Sequence, residues 1–344
     1  MKVFVTGVEG YIGVLLAPML LERGHEVVGL DTGYYRDGWL YSDNQSIRAF
    51  PRRINKDLRR ISAEDLEGCD AVVHLAELSN DPLGQNNPEN TFEINHGGSV
   101  ALAKLAKQCG IEKFVYTSSC SVYGAGSSDS LTETSETNPL TAYAKCKVRV
   151  EADVGALADD NFSPTFLRNA TAYGASPRMR FDIVLNNLSG LAWTTKKIAM
   201  ISDGTPWRPL VHVLDICHAL VCAVEAPREA IHNQIFNVGH NGDNYQVKDI
   251  AEITGAQFPG CEVTLGPSGG DDRSYRVCFD KIHEQLPGFK CDWNAEKGAK
   301  QLRKVYEQID MPREIFEFRP FTRLKQLEYL IRTKQIDDRF YWTV

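Results

Sequence analysis

The sequence predicts an α/β protein: a doubly wound parallel sheet followed by a smaller, mixed lobe. Three observations carry this expectation. Apolar, β-branched runs alternate with segments of helical apolar spacing through the first half of the chain, the pattern of βαβ units with helices on both faces of a sheet. A glycine turn, Gly7-Val8-Glu9-Gly10-Tyr11-Ile12-Gly13, lies between the first strand and the first helix. After about residue 175 the rhythm loosens into Asn-, Gly- and Pro-rich stretches such as Leu185-Asn186-Asn187-Leu188, Asp203-Gly204-Thr205-Pro206 and Gly266-Pro267-Ser268-Gly269-Gly270. The sheet and the turn together are of the Rossmann type. The expected division is 1–175 and 176–344, with short returns of the chain to the sheet near Leu210–Val213 and Gln234–Val238.

The elements read in order. Lys2–Thr6 is a β-rich run ended by glycine. Residues 10–23 have helical apolar spacing through Ile12, Leu15, Leu16, Met19 and Leu20. His25–Leu30 is the next strand and runs into Asp31. Asp70–Leu75 and Lys113–Ser118 are further strands, each bounded by helix-like segments at about 84–109 and 140–158. Ser163–Arg168 follows. The stretch from about 295 to 344 is helix-prone and charged, and reads as a packing helix with a solvated face.

The 344 residues leave ample core for one large domain or two modest ones. The net charge is −7 and no basic block is present, a poor match to nucleic acid. No apolar run approaches the ~18 residues of a membrane span, and the start of the chain reads as a strand rather than a charged leader. Nine cysteines are scattered without paired spacing, which fits reduced thiols in a cytoplasmic protein. No metal-ligand spacing is evident.

Glycines let a backbone approach a pyrophosphate, whose charge then sits at a helix N-terminus. Gly7, Gly10 and Gly13, with Tyr11 and Ile12 between them, are therefore expected to hold a dinucleotide. Asp31, closing the second strand, can accept hydrogen bonds from ribose hydroxyls and would repel a 2′-phosphate, so NAD is favoured over NADP. Asp57 and Leu58 either flank the adenine or form a plain loop.

A second constellation lies further on. A free tyrosine titrates near about 10, too high for a base at neutral pH, and a nearby ammonium lowers that value. Tyr143 and Lys147 are at i, i+4 and share one helix face. Ser119 ends the preceding strand, at the carboxyl edge where open α/β sheets bind ligands. Such a trio takes a proton from an alcohol while hydride leaves the same carbon.

These residues resemble the extended short-chain dehydrogenase/reductase family, and within it the NAD-dependent nucleotide-sugar epimerase/dehydratase group. The resemblance covers most of the chain. It rests on Thr6-Gly7-x-x-Gly10-x-x-Gly13, Asp31, Asp70-Ala-Val-Val-His74-Leu75-Ala76, Asn95, Ser118-Ser119-Cys120-Ser121-Val122-Tyr123-Gly124, Tyr143-x-x-x-Lys147, Leu167-Arg168-x-x-Thr171-x-Tyr173-Gly174 and Arg208-Pro-Leu-Val-His212-Val213-x-Asp215. It implies that Ser119, Tyr143 and Lys147 are catalytic, with Asn95 supporting the lysine through water. It implies cofactor contacts at Leu75 and Ala76. It implies substrate contacts at Ser121 and Thr171, nucleotide contacts at Asn187 and Leu188, and a diphosphate arginine at Arg208 with a second at Arg273. Arginine suits that task because its planar fork meets phosphate oxygens bidentately. The shape of the sugar pocket would be set near Ser79, Asn80, Tyr173 and Arg178.

Two departures narrow the expectation. The 4,6-dehydratases and decarboxylases of the family carry an acidic residue two positions before the Val-Tyr-Gly tyrosine, where this chain has Ser121; a serine cannot supply that acid. Cys120 reads as a packing residue. Pro209 replaces an Asp common after the arginine. The expected reaction is C4 epimerisation of a nucleoside-diphosphate sugar through a 4-keto sugar, with a 4-dehydrogenase or 4-ketoreductase as the nearest alternative and a non-catalytic NAD(H) sensor as the remote one. Pairing through the helices near 90–109 and 140–158 would give a homodimer.

Overall fold

The computed structural model describes residues 1–42, 51–79, 87–124, 130–268 and 274–343. The strands are β1 (Lys2–Thr6), β2 (Glu26–Asp31), β3 (Arg52–Asn55), β4 (Ala71–His74), β5 (Lys113–Ser119), β6 (Ser163–Asn169), β7 (Thr171–Tyr173), β8 (Lys197–Ala199), β9 (Trp207–His212), β10 (Gln234–Val238), β11 (Asn244–Gln246) and β12 (Glu262–Thr264). The longer helices are α1 (Gly13–Glu22), α2 (Ser99–Gln108), α3 (Ala142–Gly155), α4 (Val184–Thr195), α5 (Val213–Glu225), α6 (Val247–Gln257), α7 (Ala295–Gln308) and α8 (Arg323–Arg332).

Among the described residues, seven strands form one sheet in the order β10–β6–β5–β4–β1–β2–β3, every pairing parallel. The chain steps outward from β1 to β3 and then returns to β4 on the other side of β1. That reversal opens a crevice beyond the carboxyl ends of β1 and β4, the place where such sheets bind ligands. Alternation along the strands builds a core on each face. Val3, Val5, Val73 and Val115 pack against Leu16 and Leu20 of α1 and Ile216 and Leu220 of α5. Phe4, Val72, Phe114 and Tyr116 pack against Leu102 and Ala106 of α2 and Val150 and Val154 of α3. The doubly wound sheet predicted from the sequence is therefore present, and no described helix is long and apolar enough to cross a membrane.

The second lobe has its own core, formed mainly by α4, α6 and α7. One expectation is corrected here. Gln234–Val238 does join the main sheet, but Leu210–Val213 does not. The outer edge of β6 is taken by β10. β9 therefore pairs with β7, which leaves the main sheet just after β6, and with β11 in a separate three-stranded sheet. The charged C-terminal stretch is helical only in part. After α8 the chain runs back over the β2–β3 end of the sheet. There Trp342 Nε1 donates to Thr32 O at 2.7 Å, the Tyr34 hydroxyl donates to Phe340 O, and the Arg59 guanidinium lies 3.7 Å from the Tyr341 ring centroid. Leu327, Leu330, Ile336 and Phe340 share a core with Tyr34, Leu78 and Ile94.

Candidate active site

The glycine turn is built for close backbone approach. Gly7 has φ 71°, and a Cβ there would lie 2.9 Å from Ala76 N; a Cβ on Gly13 would lie 2.3 Å from Gly7 O. α1 opens without a side-chain cap and without an acidic residue in its first turn, so its positive end is left for an anion. Tyr11 contributes differently from its neighbours. Its hydroxyl donates to Gly174 O at 2.7 Å, while Ser176 Oγ donates to Tyr11 O at 2.8 Å. The ring thus ties the turn to the second lobe.

A buried chain of hydrogen bonds holds the ends of β1 and β4 together. Thr6 Oγ1 accepts from Leu75 N and Ala76 N, both at 3.1 Å. Its own hydrogen then goes to His74 Nδ1 at 2.6 Å. This assigns the ring hydrogen to His74 Nε2, which donates to Ser99 Oγ at 2.7 Å. Ser99 in turn donates to Asn95 O at 2.5 Å. Burial, helped by the Lys147 charge, pulls the His74 pKa down to about 3, so the imidazole is neutral.

Asp31 stands at the end of β2, with one oxygen accepting from Gly33 N at 2.7 Å and the other from Glu9 N at 3.0 Å. Burial raises its pKa against the pull of these amides, and the Glu9 carboxylate adds to the rise. Two arginines that could have served a 2′-phosphate are engaged by Glu9. Arg36 Nε is 2.9 Å and Arg53 Nη1 2.5 Å from its oxygens. Asp57 caps the turn that follows β3, accepts from Arg59 N at 2.8 Å and pairs with the Arg59 guanidinium at 2.7 Å. Leu58 beside it is buried.

The Ser–Tyr–Lys residues converge at the carboxyl end of β5. Ser119 is its last residue, and its Oγ accepts from Ser121 N at 3.1 Å, which leaves its hydrogen to donate elsewhere. Thr141 caps α3 by accepting from Ala144 N at 3.2 Å, so Tyr143 lies in the first turn at the positive end of the helix. Lys147, one turn on, is 3% exposed, with Nζ 5.3 Å from the Tyr143 ring centroid and donating to Thr117 O. Burial by itself lowers the Lys147 pKa; the Glu77 carboxylate and then the Tyr143 phenol outweigh it and hold the ammonium above its ordinary value. A second buried cluster fixes α3 on the sheet. Ser118 Oγ donates to Glu151 Oε1 at 2.5 Å, and Arg168 of β6 meets the same carboxylate with Nε at 3.0 Å and Nη2 at 2.6 Å.

One cavity of about 600 Å³ joins both constellations. Its lining includes Gly7, Gly10, Tyr11, Ile12, Gly13, Asp31, Asp57, Leu58, Leu75 and Ala76 at one end, and Ser119, Ser121, Tyr143, Lys147, Thr171 and Arg208 at the other. Three expected residues sit elsewhere. Asn187 and Leu188, on α4, are not among the lining residues, and the Asn187 amide donates to Phe181 O at 3.0 Å. The Asn95 side chain clasps Leu78, accepting from its N at 2.8 Å and donating to its O at 3.0 Å. Arg273 and Asn80 lie outside the described residues. Tyr173 is fully buried, and Arg178 donates to the carbonyls of Tyr35, Arg36 and Gly38, so both belong to the framework. Cys120 is in the core, with Sγ donating to Arg168 O at 3.2 Å.

The cavity also holds residues that the sequence did not single out. Glu77 meets Lys147 directly, its Oε2 2.6 Å from Nζ. Arg180 forms a bidentate pair with Asp182, at 2.9 and 3.1 Å, and reaches Ser79 Oγ at 3.2 Å. Arg323 of α8 and Tyr275 complete the wall. Glu77 Oε2 is met by the Lys147 ammonium as an ion pair; two other buried polar atoms of lining residues, Ser121 Oγ and Asn169 Oδ1, have no hydrogen-bond partner among the described residues, and buried polar atoms left this way mark places where a ligand can bond. Asn169 was detectable in principle as the last residue of a central strand.

Known proteins resemble this chain over most of its length. The family described as the NAD dependent epimerase/dehydratase family matches residues 3–239. A UDP-glucose 4-epimerase of Corynebacterium glutamicum is 30% identical over 306 residues, spanning 83% of this chain and 90% of that protein. A UDP-glucose 4-epimerase of Lacticaseibacillus casei is 26% identical over 317 residues, spanning 86% and 93%. Among solved structures, MoeE5 in complex with UDP-glucuronic acid and NAD superposes with a TM-score of 0.76 at 25% identity, covering 90% of this chain and 99% of that one.

Proposed function

The chain belongs to the NAD dependent epimerase/dehydratase family, and on that premise we propose that it is a nucleotide-sugar 4-epimerase. Membership makes it an NAD-dependent enzyme of this type. The site fits the cofactor: a Cβ at Gly7 or Gly13 would fill the turn that meets a pyrophosphate, and Asp31 keeps oxygen lone pairs for ribose hydroxyls. NAD, when bound, accepts hydride from the sugar carbon and returns it. Tyr143, with its phenolate favoured by Lys147 and by the positive end of α3, takes the proton of the 4-hydroxyl. Ser119 donates to the oxygen that becomes the ketone. Arg208 holds the diphosphate while the sugar turns, and Ser121 Oγ and Asn169 Oδ1 offer hydrogen bonds to the turned ring. Tyr143 then gives its proton back.

The observation that carries this reading is a proton-transfer trio with serine, not an acid, at position 121. Among the described residues, the carboxylates at this end of the cavity, Glu77 and Asp182, are tied to Lys147 and Arg180. That arrangement favours oxidation and reduction at one carbon over loss of water. Incubation with UDP-, GDP-, dTDP- and CDP-hexoses, resolved by chromatography, is expected to yield a C4 epimer with no net reduced cofactor. Stoichiometric reduced cofactor without an epimer would identify a 4-dehydrogenase instead, and a 4,6-dehydrated sugar would overturn the assignment of Ser121. Light scattering on the same preparation is expected to give a dimer, paired through the face where Phe92 and His96 meet Arg149 and Asp153; a monomer would exclude that pairing.

Asp31→Asn isolates the cofactor choice. It keeps one acceptor and removes the charge, so NAD affinity should fall by about tenfold, the cost of one hydrogen bond to a charged group, while NADP affinity rises. Calorimetric titration measures both, and unchanged NAD affinity would remove Asp31 from the ribose site.

A further inference from the structure

Lys147 lies beside Tyr143, yet its nearest charged partner is a carboxylate. Glu77 follows β4 and lines the cavity, with its side chain almost fully buried. Its side chain and that of Lys147 are each 4% exposed, with Oε2 2.6 Å from Nζ, and Tyr116 of β5 donates its hydroxyl to Oε1 at 2.5 Å. The segment is held rigidly, since Leu78 is clasped by the Asn95 amide on both its N and its O. Lys147 is thus pinned from three sides, by Glu77, by Thr117 O and by the Tyr116 ring face 4.6 Å away.

A buried ion pair contributes little net stability, because desolvation offsets attraction. Its field, however, acts on whatever else is near. A cation at this range lowers a phenol's pKa, and a carboxylate on the same ammonium cancels part of that effect. We propose that Glu77 is a positioning residue that fixes the Lys147 ammonium beside Tyr143 and, by neutralising part of its charge, sets the pH at which Tyr143 exchanges its proton. Tyr143 then keeps enough proton affinity to act as acid in the reductive half of the reaction as well as base in the oxidative half.

The surroundings support assigning this effect to Glu77. From β4, His74 is neutral. From β5 come the Tyr116 hydroxyl and Thr117 O. On α3, Cys146 is buried, which pushes its thiol up and keeps it uncharged, and Glu151 is committed to Arg168. From the second lobe, Arg180 acts on Tyr143 but is neutralised by Asp182. Burial pulls the Glu77 pKa up, and the Lys147 ammonium and the Tyr116 hydroxyl pull against it; among the described residues, the negative charge paired with Lys147 is that of Glu77.

The inference rests on Tyr143 being the base, so the test separates the two claims. The ultraviolet titration of the Tyr143 phenolate, taken as the difference between a protein and its Tyr143→Phe counterpart, needs no substrate and is read alongside the acid limb of the kcat profile. Glu77→Gln should move both to lower pH by about one unit. Tyr116→Phe, which only removes a hydrogen bond from Glu77, should move them the same way by less. Glu77→Asp, which keeps the charge, should leave the limb in place while lowering kcat. An acid limb that vanishes in Tyr143→Phe but does not move in Glu77→Gln or Tyr116→Phe overturns the role of Glu77 alone. A limb that persists in Tyr143→Phe overturns the assignment of the base.

Discussion

Replacing Tyr143 with phenylalanine is expected to lower kcat by about 10³-fold while leaving NAD and nucleotide-sugar affinity within a few-fold of the native values. General acid–base groups contribute about 10²–10⁴, and this residue is asked to act twice per cycle, which places the loss well inside that range, equivalent to about 4 kcal/mol of barrier. The substitution removes one oxygen, with the negative charge it carries as phenolate, and leaves the ring. Its ring still packs beside the Lys147 ammonium, and Thr141 still caps the helix, so the site keeps its shape. A loss confined to KM would mean that Tyr143 binds the sugar without moving a proton. Stopped-flow traces of cofactor absorbance under single-turnover conditions would show the deficit in the hydride step itself.

Gly13→Ala should have the largest effect on the folded protein. The new methyl would lie 2.3 Å from Gly7 O, 2.7 Å from Val8 Cα and 2.8 Å from Val8 C. All three are backbone atoms, which no rotamer change can move. The turn must open, and with it the start of α1. Overpacking of this kind costs about 3 kcal/mol, and displacing the turn that meets the pyrophosphate should weaken NAD binding by about 100-fold. Gly24→Ala is the control. Unlike Gly13 it has a positive φ, 83°, and nothing lies within 4 Å of its Cβ, so it should cost only the backbone strain of about 1 kcal/mol and leave NAD binding intact. Urea unfolding and cofactor titration of the two proteins make the comparison; equal effects would mean that the close approach at Gly13 is not what the turn requires.

The contrast between these residues explains what the sequence could reveal. β1, β4, β5 and β6 are apolar runs buried on both faces, and their ends fall within a residue of the expected positions. The glycines at 7, 10 and 13 follow from a steric need that a strand–turn–helix context exposes. Tyr143 and Lys147 announce themselves because four residues on a helix bring side chains together. The rest depends on distance along the chain. Leu210–Val213 has the composition of a sheet strand, and only the occupation of the β6 edge by Gln234–Val238 sends it to β7. Asn95 was expected beside the lysine. Its amide clasps Leu78 because the helix bearing it passes close to the end of β4, a proximity no local pattern encodes. Glu77 reads as an ordinary polar residue after a strand until Lys147 and Tyr116, from two other elements, close around it. The tail at 333–343 is legible only as charged and aromatic, and its place over Thr32 and Tyr34 comes from packing of Phe340 and Ile336 into a core shared with Leu78.

Epimerisation at C4 requires hydride to leave and return to one sugar carbon within one site while Tyr143 moves the proton. The most direct measurement uses the nucleoside-diphosphate hexose identified by the epimer screen, deuterated at C4, followed by mass and proton NMR spectra of both epimers after equilibration. Full retention of deuterium at C4 in the product, with none in solvent or in free cofactor, is the predicted result. Loss of the label to water, or its appearance in released cofactor, would contradict it.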